Sequence, residues 1–257
     1  MAKQYSPAAY KRRKLMRELR GFMNEIEASR VNAVNDLNGV GFYASGLLEG
    51  SMSMSAAQLR EVAERLVELE KEYDISEIGT DAVVALERGL IRDYNGVDLG
   101  KDVVAATMSE YESMDQKIIF NGKLSYNELN DSIGSMRGTR HIMPYDEGRT
   151  TPSQYIAAHE YGHAVQHVLL ARTSVDNSLD ARFEQEVHRR KIIGYAEKHN
   201  GGWPVDAHMS TYGQTSAAEF FAEAFANAHS GKPNAIGKGM LDFLAEMKGH
   251  GLLGGGR

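Results

Sequence analysis

The stretch 151–170 reads TPSQYIAAHEYGHAVQHVLL, and within it HEYGH sets His159 and His163 four residues apart with Glu160 beside the first. An α-helix advances about 100° per residue, so side chains four apart stand nearly above one another on one face. The surrounding residues favour a buried helix. Thr151 followed by Pro152 has the chemistry of an N-cap with proline at the first helical position. Tyr155, Ile156, Val165, Val168 and Leu169 supply apolar positions. Two imidazoles on a buried face need partners for their nitrogens, and at this spacing both can reach one metal ion at about 2.0–2.1 Å. Glu160 then projects next to the ion without ligating it, placed to take a proton from water, the arrangement that H-E-x-x-H supplies in zinc hydrolases. The pentapeptide alone leaves a blander reading open, a helix with two surface histidines.

A catalytic zinc usually has three protein ligands and a water, so a third donor is expected elsewhere. Residues 211–229, TYGQTSAAEFFAEAFANAH, carry Glu219 and Glu223 four apart on a second apolar helix with Phe220, Phe221 and Phe225. Carboxylates on so aromatic a helix are costly to bury unless paired or bound to a metal. Ser216-Ala-Ala-Glu219 is also a capping box, which gives Glu219 a purely local role but leaves Glu223 unexplained. Asp206 and His208 form a competing ligand scheme that leaves both helical glutamates without a task. His167 lies about 12 Å from His159 along a helix axis, too far to share its ion. Leu169 occupies the position where a metzincin carries its third histidine.

Taken together, HEYGH and YGQTSAAEFFAEAF resemble the catalytic domain of the anthrax lethal factor family, gluzincin metallopeptidases also found as domains in phage-encoded and toxin proteins. The match in the second motif runs through Tyr212, Gly213, Thr215, Glu219, Phe220, Phe221, Ala222, Glu223, Ala224 and Phe225. The resemblance implies an α+β zincin-like domain with a small mixed sheet and two metal-binding helices. It implies one Zn²⁺ per chain on His159, His163 and Glu219, Glu160 as the base, and Tyr212 as the phenol facing the oxyanion. Glu223 would hold a ligand histidine in its tautomer, as such outer carboxylates do. The implied activity is hydrolysis of peptide bonds in a peptide or protein substrate. The resemblance reaches from about residue 74 onward, with firm motifs only over 140–229.

Charge is uneven along the chain. Residues 1–30 hold eight Lys or Arg against three Glu, a net of +5, which leaves −11 for the rest of a chain whose formal charge is −6. From Pro7 to about residue 37 the pattern predicts a helix with Leu15, Leu19, Phe22 and Ile26 on one face. A basic amphipathic helix of this kind suits a protein assembly, a nucleic acid or an anionic surface. A Gly- and Ser-rich run over 38–55 separates this appendage, residues 1–54, from a metallopeptidase domain over 55–257. The second unit opens on a helix over about 55–73, announced by the capping box Ser55-Ala-Ala-Gln58. Further helices are expected over 81–93, 179–199 and 234–248, and strands over 117–123 and 140–143. Residues 102–114 read as ambiguous.

With no cysteine, disulfides and thiolate ligands are excluded, leaving imidazole and carboxylate as metal donors. No apolar run approaches the ~18 residues of a membrane span, and the polar, basic opening has no signal-peptide core. A cytoplasmic or phage-particle-associated protein is the expectation. Two other classes remain in play: a structural or assembly protein that carries the domain, and a nucleic-acid-binding accessory such as an anti-restriction protein.

Overall fold

The computed structural model describes residues 7–42, 55–75, 83–87, 103–109, 116–121, 125–173 and 178–254. Among the described residues, seven α-helices and a three-stranded sheet make an α+β architecture. Helices α1 (Pro7–Gly39) and α2 (Ala56–Tyr73) come first, then the strands β1 (Val83–Glu87), β2 (Ala105–Ser109) and β3 (Gln116–Asn121). Helices α3 (Tyr126–Gly138), α4 (Pro152–Arg172), α5 (Ser178–His199), α6 (Ala217–Ala228) and α7 (Ala235–Gly249) follow. No helix among the described residues is long and apolar enough to cross a membrane.

Local chemistry sets the helix starts. Ser55 and Gln58 satisfy each other's backbone N–H groups at α2, and Thr151 and Gln154 do the same at α4, where Pro152 takes the position with no N–H to lose. Helix α5 ends at Asn200-Gly201-Gly202, where both glycines take positive φ, +67° and +83°. Residues 81–93 were expected to be helical, but 83–87 form strand β1. Val83 and Val84 are β-branched and disfavour helix, and β1 gains a parallel ladder with β3 over 30 residues away, Val84 opposite Ile118. Strand β2 resolves the ambiguous segment, running antiparallel to β3 with Ala105 opposite Phe120 and Thr107 opposite Ile118. The sheet order is β1-β3-β2, so β2 is an edge strand. Residues 122 and 123 of the strand expected over 117–123 lie outside the described residues.

The expected strand over 140–143 is a turn and bend instead, following α3, a helix that was not among those expected and that opens on the capping box Ser125/Glu128. Arg140 takes positive φ (+58°), which breaks an extended run. Its carbonyl and that of His141 nevertheless accept from the Thr211 and Tyr212 N–H groups at 3.0 Å each. These two bonds tie the 211–212 segment down.

Helix α4 is the centre of the molecule. Sixteen of its residues are buried, so it shows no amphipathic face and packs on α2, α6, α3 and the sheet. The apolar core around it includes Leu59, Leu66 and Leu69 of α2, Ile118 and Phe120 of β3, and Phe221 and Phe225 of α6. It also takes in Ala33, Val34 and Leu37 at the end of α1, with Phe42. The earlier face of α1 is uncovered: Leu15, Leu19, Phe22 and Ile26 are all about half exposed.

Candidate metal centre

One glycine sets how close the two motif helices come. A Cβ added at Gly162, inside HEYGH, would stand 2.9 Å from Phe225 Cβ and 3.1 Å from Ala222 Cα, so only hydrogen fits where α4 crosses α6. That close approach brings Glu219 to the two histidines. Glu219 Oε2 lies 3.3 Å from His159 Nε2 and 3.4 Å from His163 Nε2. Among the described residues these three side chains are the group of donors able to hold a metal ion, their ligand atoms all within 4.8 Å of one another. Two donors bound to a tetrahedral ion at about 2.0–2.1 Å stand about 3.3–3.4 Å apart, which is the separation found. Glu219 Oε2 is buried and makes no hydrogen bond of its own, as suits an atom aimed at a shared ion.

The local role considered for Glu219 is only half realised. Ser216 Oγ accepts from the Glu219 N–H at 3.0 Å, capping α6, but the Glu219 carboxylate turns to the histidines rather than back to the helix start. Asp206 and His208 sit in an exposed 3-10 turn apart from the group. His167 lines the cleft one turn beyond His163 and is likewise outside the group.

Glu223, one turn along α6, meets the other ring nitrogen: its Oε1 lies 3.1 Å from His159 Nδ1. The carboxylate is 1% exposed yet fully partnered. Oε1 also accepts from the Tyr155 hydroxyl at 3.2 Å, and Oε2 accepts from the Met143 N–H at 2.6 Å and the Ser210 hydroxyl at 2.8 Å. Four donors around one carboxylate hold it in place and present His159 Nδ1 with an acceptor, which turns Nε2 toward Glu219. Tyr155 could have been read from the sequence, since it precedes His159 by four on the same face. Ser210 and the Met143 amide carry no local signal, because each arrives from a separate loop.

Charge around the site is tightly coupled. Burial would lower the His159 pKa, but the Glu219 and Glu223 carboxylates outweigh it and raise it well above the ordinary histidine value. Burial would raise the Glu219 carboxyl, and the His159 and His163 imidazoles overcome this to hold it far below the usual range. A cation held between these groups would take the place of the His159 proton that the same carboxylates favour. Tyr212 stands over this group, its ring tilted against His159 at 5.9 Å and against His141 at 5.3 Å. Burial, followed by the Glu219 charge, pushes its phenol well above its normal pKa, so it remains an O–H donor.

Glu160 is 5% exposed and faces a cleft of about 430 Å³ walled by Val103, Ala105, Ala106 and Thr107 before and along β2, by His163, Gln166 and His167 of α4, and by Tyr212 and Glu219. A second hollow of about 390 Å³ meets it at His159, Glu160 and Tyr212, with Val104, Ile133, Met136, Ile142 and Ile156 as apolar walls. The Thr107 hydroxyl lies 2.8 Å from both Oε2 and the main-chain carbonyl oxygen of Glu160. The six residues singled out from the sequence, His159, Glu160, His163, Tyr212, Glu219 and Glu223, thus meet at one place. Comparison of the chain with family models, with curated proteins and with solved structures finds no match.

Proposed function

We propose that this chain is a zinc-dependent metalloendopeptidase of the gluzincin type with a zincin-like fold, in line with its resemblance to the lethal factor family. The observation that carries the reading is the spacing of His159 Nε2, His163 Nε2 and Glu219 Oε2, which suits a tetrahedral ion. Two neutral imidazoles and one carboxylate, with no thiolate available, are a donor set suited to catalytic zinc. When bound there, one zinc per chain supplies a Lewis acid that eases ionisation of water and polarises a carbonyl.

The chain's own groups do the rest. Glu160, lining the same cleft, takes the proton of the attacking water and passes it to the leaving amine. Tyr212, held protonated, donates toward the oxygen on which negative charge develops. Glu223 keeps His159 oriented through Nδ1. An extended peptide can lie along the edge strand β2, whose residues wall the cleft, and use its open backbone groups. Hydrolysis rather than storage of the metal is favoured by the buried base beside the donors and by the two hollows that converge on it.

The test is a pair of conservative variants. Glu160→Gln and Tyr212→Phe should both keep zinc, the first losing hydrolysis of a peptide library and the second losing mainly kcat, by about 10²–10³-fold as for an oxyanion donor. Wild-type turnover in either variant contradicts its assigned role. A second reading, a partner-binding or assembly protein that carries the domain, is favoured by one observation: the exposed apolar stripe of α1 within a +5 segment. The two readings are compatible, α1 delivering the enzyme to an assembly, a nucleic acid or an anionic surface.

A further inference from the structure

Strand β2 brings to the site a hydroxyl that the mechanism above does not use. Its ladder with β3 sets Thr107 opposite Ile118 and Ala105 opposite Phe120, so these four share the sheet face turned to the core, while Ala106 and Ile119 take the other. Among these four Thr107 carries the polar side chain. A hydroxyl in such a place needs a hydrogen bond to repay its lost water. Its single proton is shared between two acceptors on one residue, Glu160 Oε2 and the Glu160 carbonyl oxygen, each 2.8 Å from Oγ1.

We infer that Thr107 is a positioning residue for Glu160, the edge strand holding the base's carboxylate in the cleft through this one hydroxyl. The inference rests on the peptidase reading of the same site. Glu160 is unbranched, with three side-chain torsions to fix, and the ordinary neighbours of a helical side chain do little to fix the last of them. A hydroxyl donating to an anion makes a short, directional contact. The same hydroxyl also spans to the helix backbone, so the strand and α4 share a fixed separation at the base. An edge strand that pairs with an extended peptide thereby sets the distance between peptide and base with a single element. Thr107 touches no reacting atom in this scheme and acts through Glu160.

Substitution separates positioning from packing because the two rank the variants in opposite order. Thr107→Val keeps the shape and the β-branch but removes the hydroxyl, whereas Thr107→Ser keeps the hydroxyl and loses the methyl. Positioning predicts that Thr107→Val lowers kcat about ten- to a hundredfold with KM within about twofold, and that Thr107→Ser stays within about threefold of wild type. The second readout needs no activity: the side-chain ¹³C carboxyl resonance of Glu160 in the metal-free full chain, assigned by its disappearance in Glu160→Gln. It should shift in Thr107→Val and return in Thr107→Ser. An unmoved resonance in Thr107→Val, or a Thr107→Ser enzyme weaker than Thr107→Val, overturns the inference. If the wild type cleaves no peptide, the peptidase reading fails on that result, and the resonance still decides the role of Thr107.

Discussion

Replacing Glu223 by glutamine tests how the site orients its metal. The change is nearly isosteric, but it turns one carboxylate oxygen into an NH₂ group at a position where four donors converge. The Tyr155 and Ser210 hydroxyls can rotate and accept. The Met143 N–H, 2.6 Å from Oε2, cannot. The amide oxygen must therefore stay with Met143 and Ser210, which points the NH₂ at Tyr155 and His159 Nδ1. His159 can accept at Nδ1 only by moving its proton to Nε2, the nitrogen that faces Glu219. The opposite amide orientation saves the tautomer but sets NH₂ against the buried Met143 N–H, a mismatch that costs about 1–3 kcal/mol. Either way zinc affinity should fall by about 10–100-fold, equivalent to about 1.4–2.7 kcal/mol. Competition against a fluorescent chelator gives the affinity, and a thermal melt of the metal-free protein gives the stability. A glutamine variant that binds zinc within about twofold of wild type would refute the claim that Glu223 sets the His159 tautomer.

Stability should also depend on pH away from the metal. Burial pushes His188 and His229 down to about 4, so the folded chain binds fewer protons than the unfolded one between pH 4 and about 6.5. Their contribution is complete above that window and is lost as pH falls through it, by at most about 3 kcal/mol for each histidine. His188→Leu, between Phe221 and Phe243, should flatten this slope in urea melts at pH 7 and pH 5. An unchanged slope contradicts the assignment. Deleting residues 1–30 removes the exposed stripe of Leu15, Leu19, Phe22 and Ile26 and leaves Ala33, Val34 and Leu37 in place, so zinc binding and cleavage of a small peptide should persist while salt-sensitive association is lost. Deleting residues 1–54 also strips Leu37 and Phe42 from the core, at about 1.5–3 kcal/mol each, and should lower the melting temperature measurably. Equal melting of the two truncations contradicts that packing.

The parts of this molecule that were legible in its sequence are those whose cause is local. The helix of HEYGH follows from its cap and spacing, and α6 from Ser216 and the run FFAEAF. The convergence of Glu219 on the histidines was readable only through the resemblance, since the Gly162 contact that enforces it depends on how two helices cross. Strand β1 was misread because its pairing partner is far along the chain, and the short apolar run AVVAL over 82–86 does not by periodicity separate a buried strand from a piece of buried helix. Tyr155 was visible at the right spacing but passed as an apolar core position, its hydroxyl bond to Glu223 being a tertiary fact. Ser210 and Thr107 had no signal at all, because a lone hydroxyl acquires meaning only from what packs against it.

The central claim is that His159, His163 and Glu219 hold one zinc ion between them. Elemental analysis of protein purified without added metal, read beside the Glu219→Ala variant, tests it most directly. About one zinc per chain is expected in the wild type, with most of it lost in the variant and the fold kept. A variant that retains a full equivalent of zinc, or a wild type that takes up none when zinc is supplied, would contradict it.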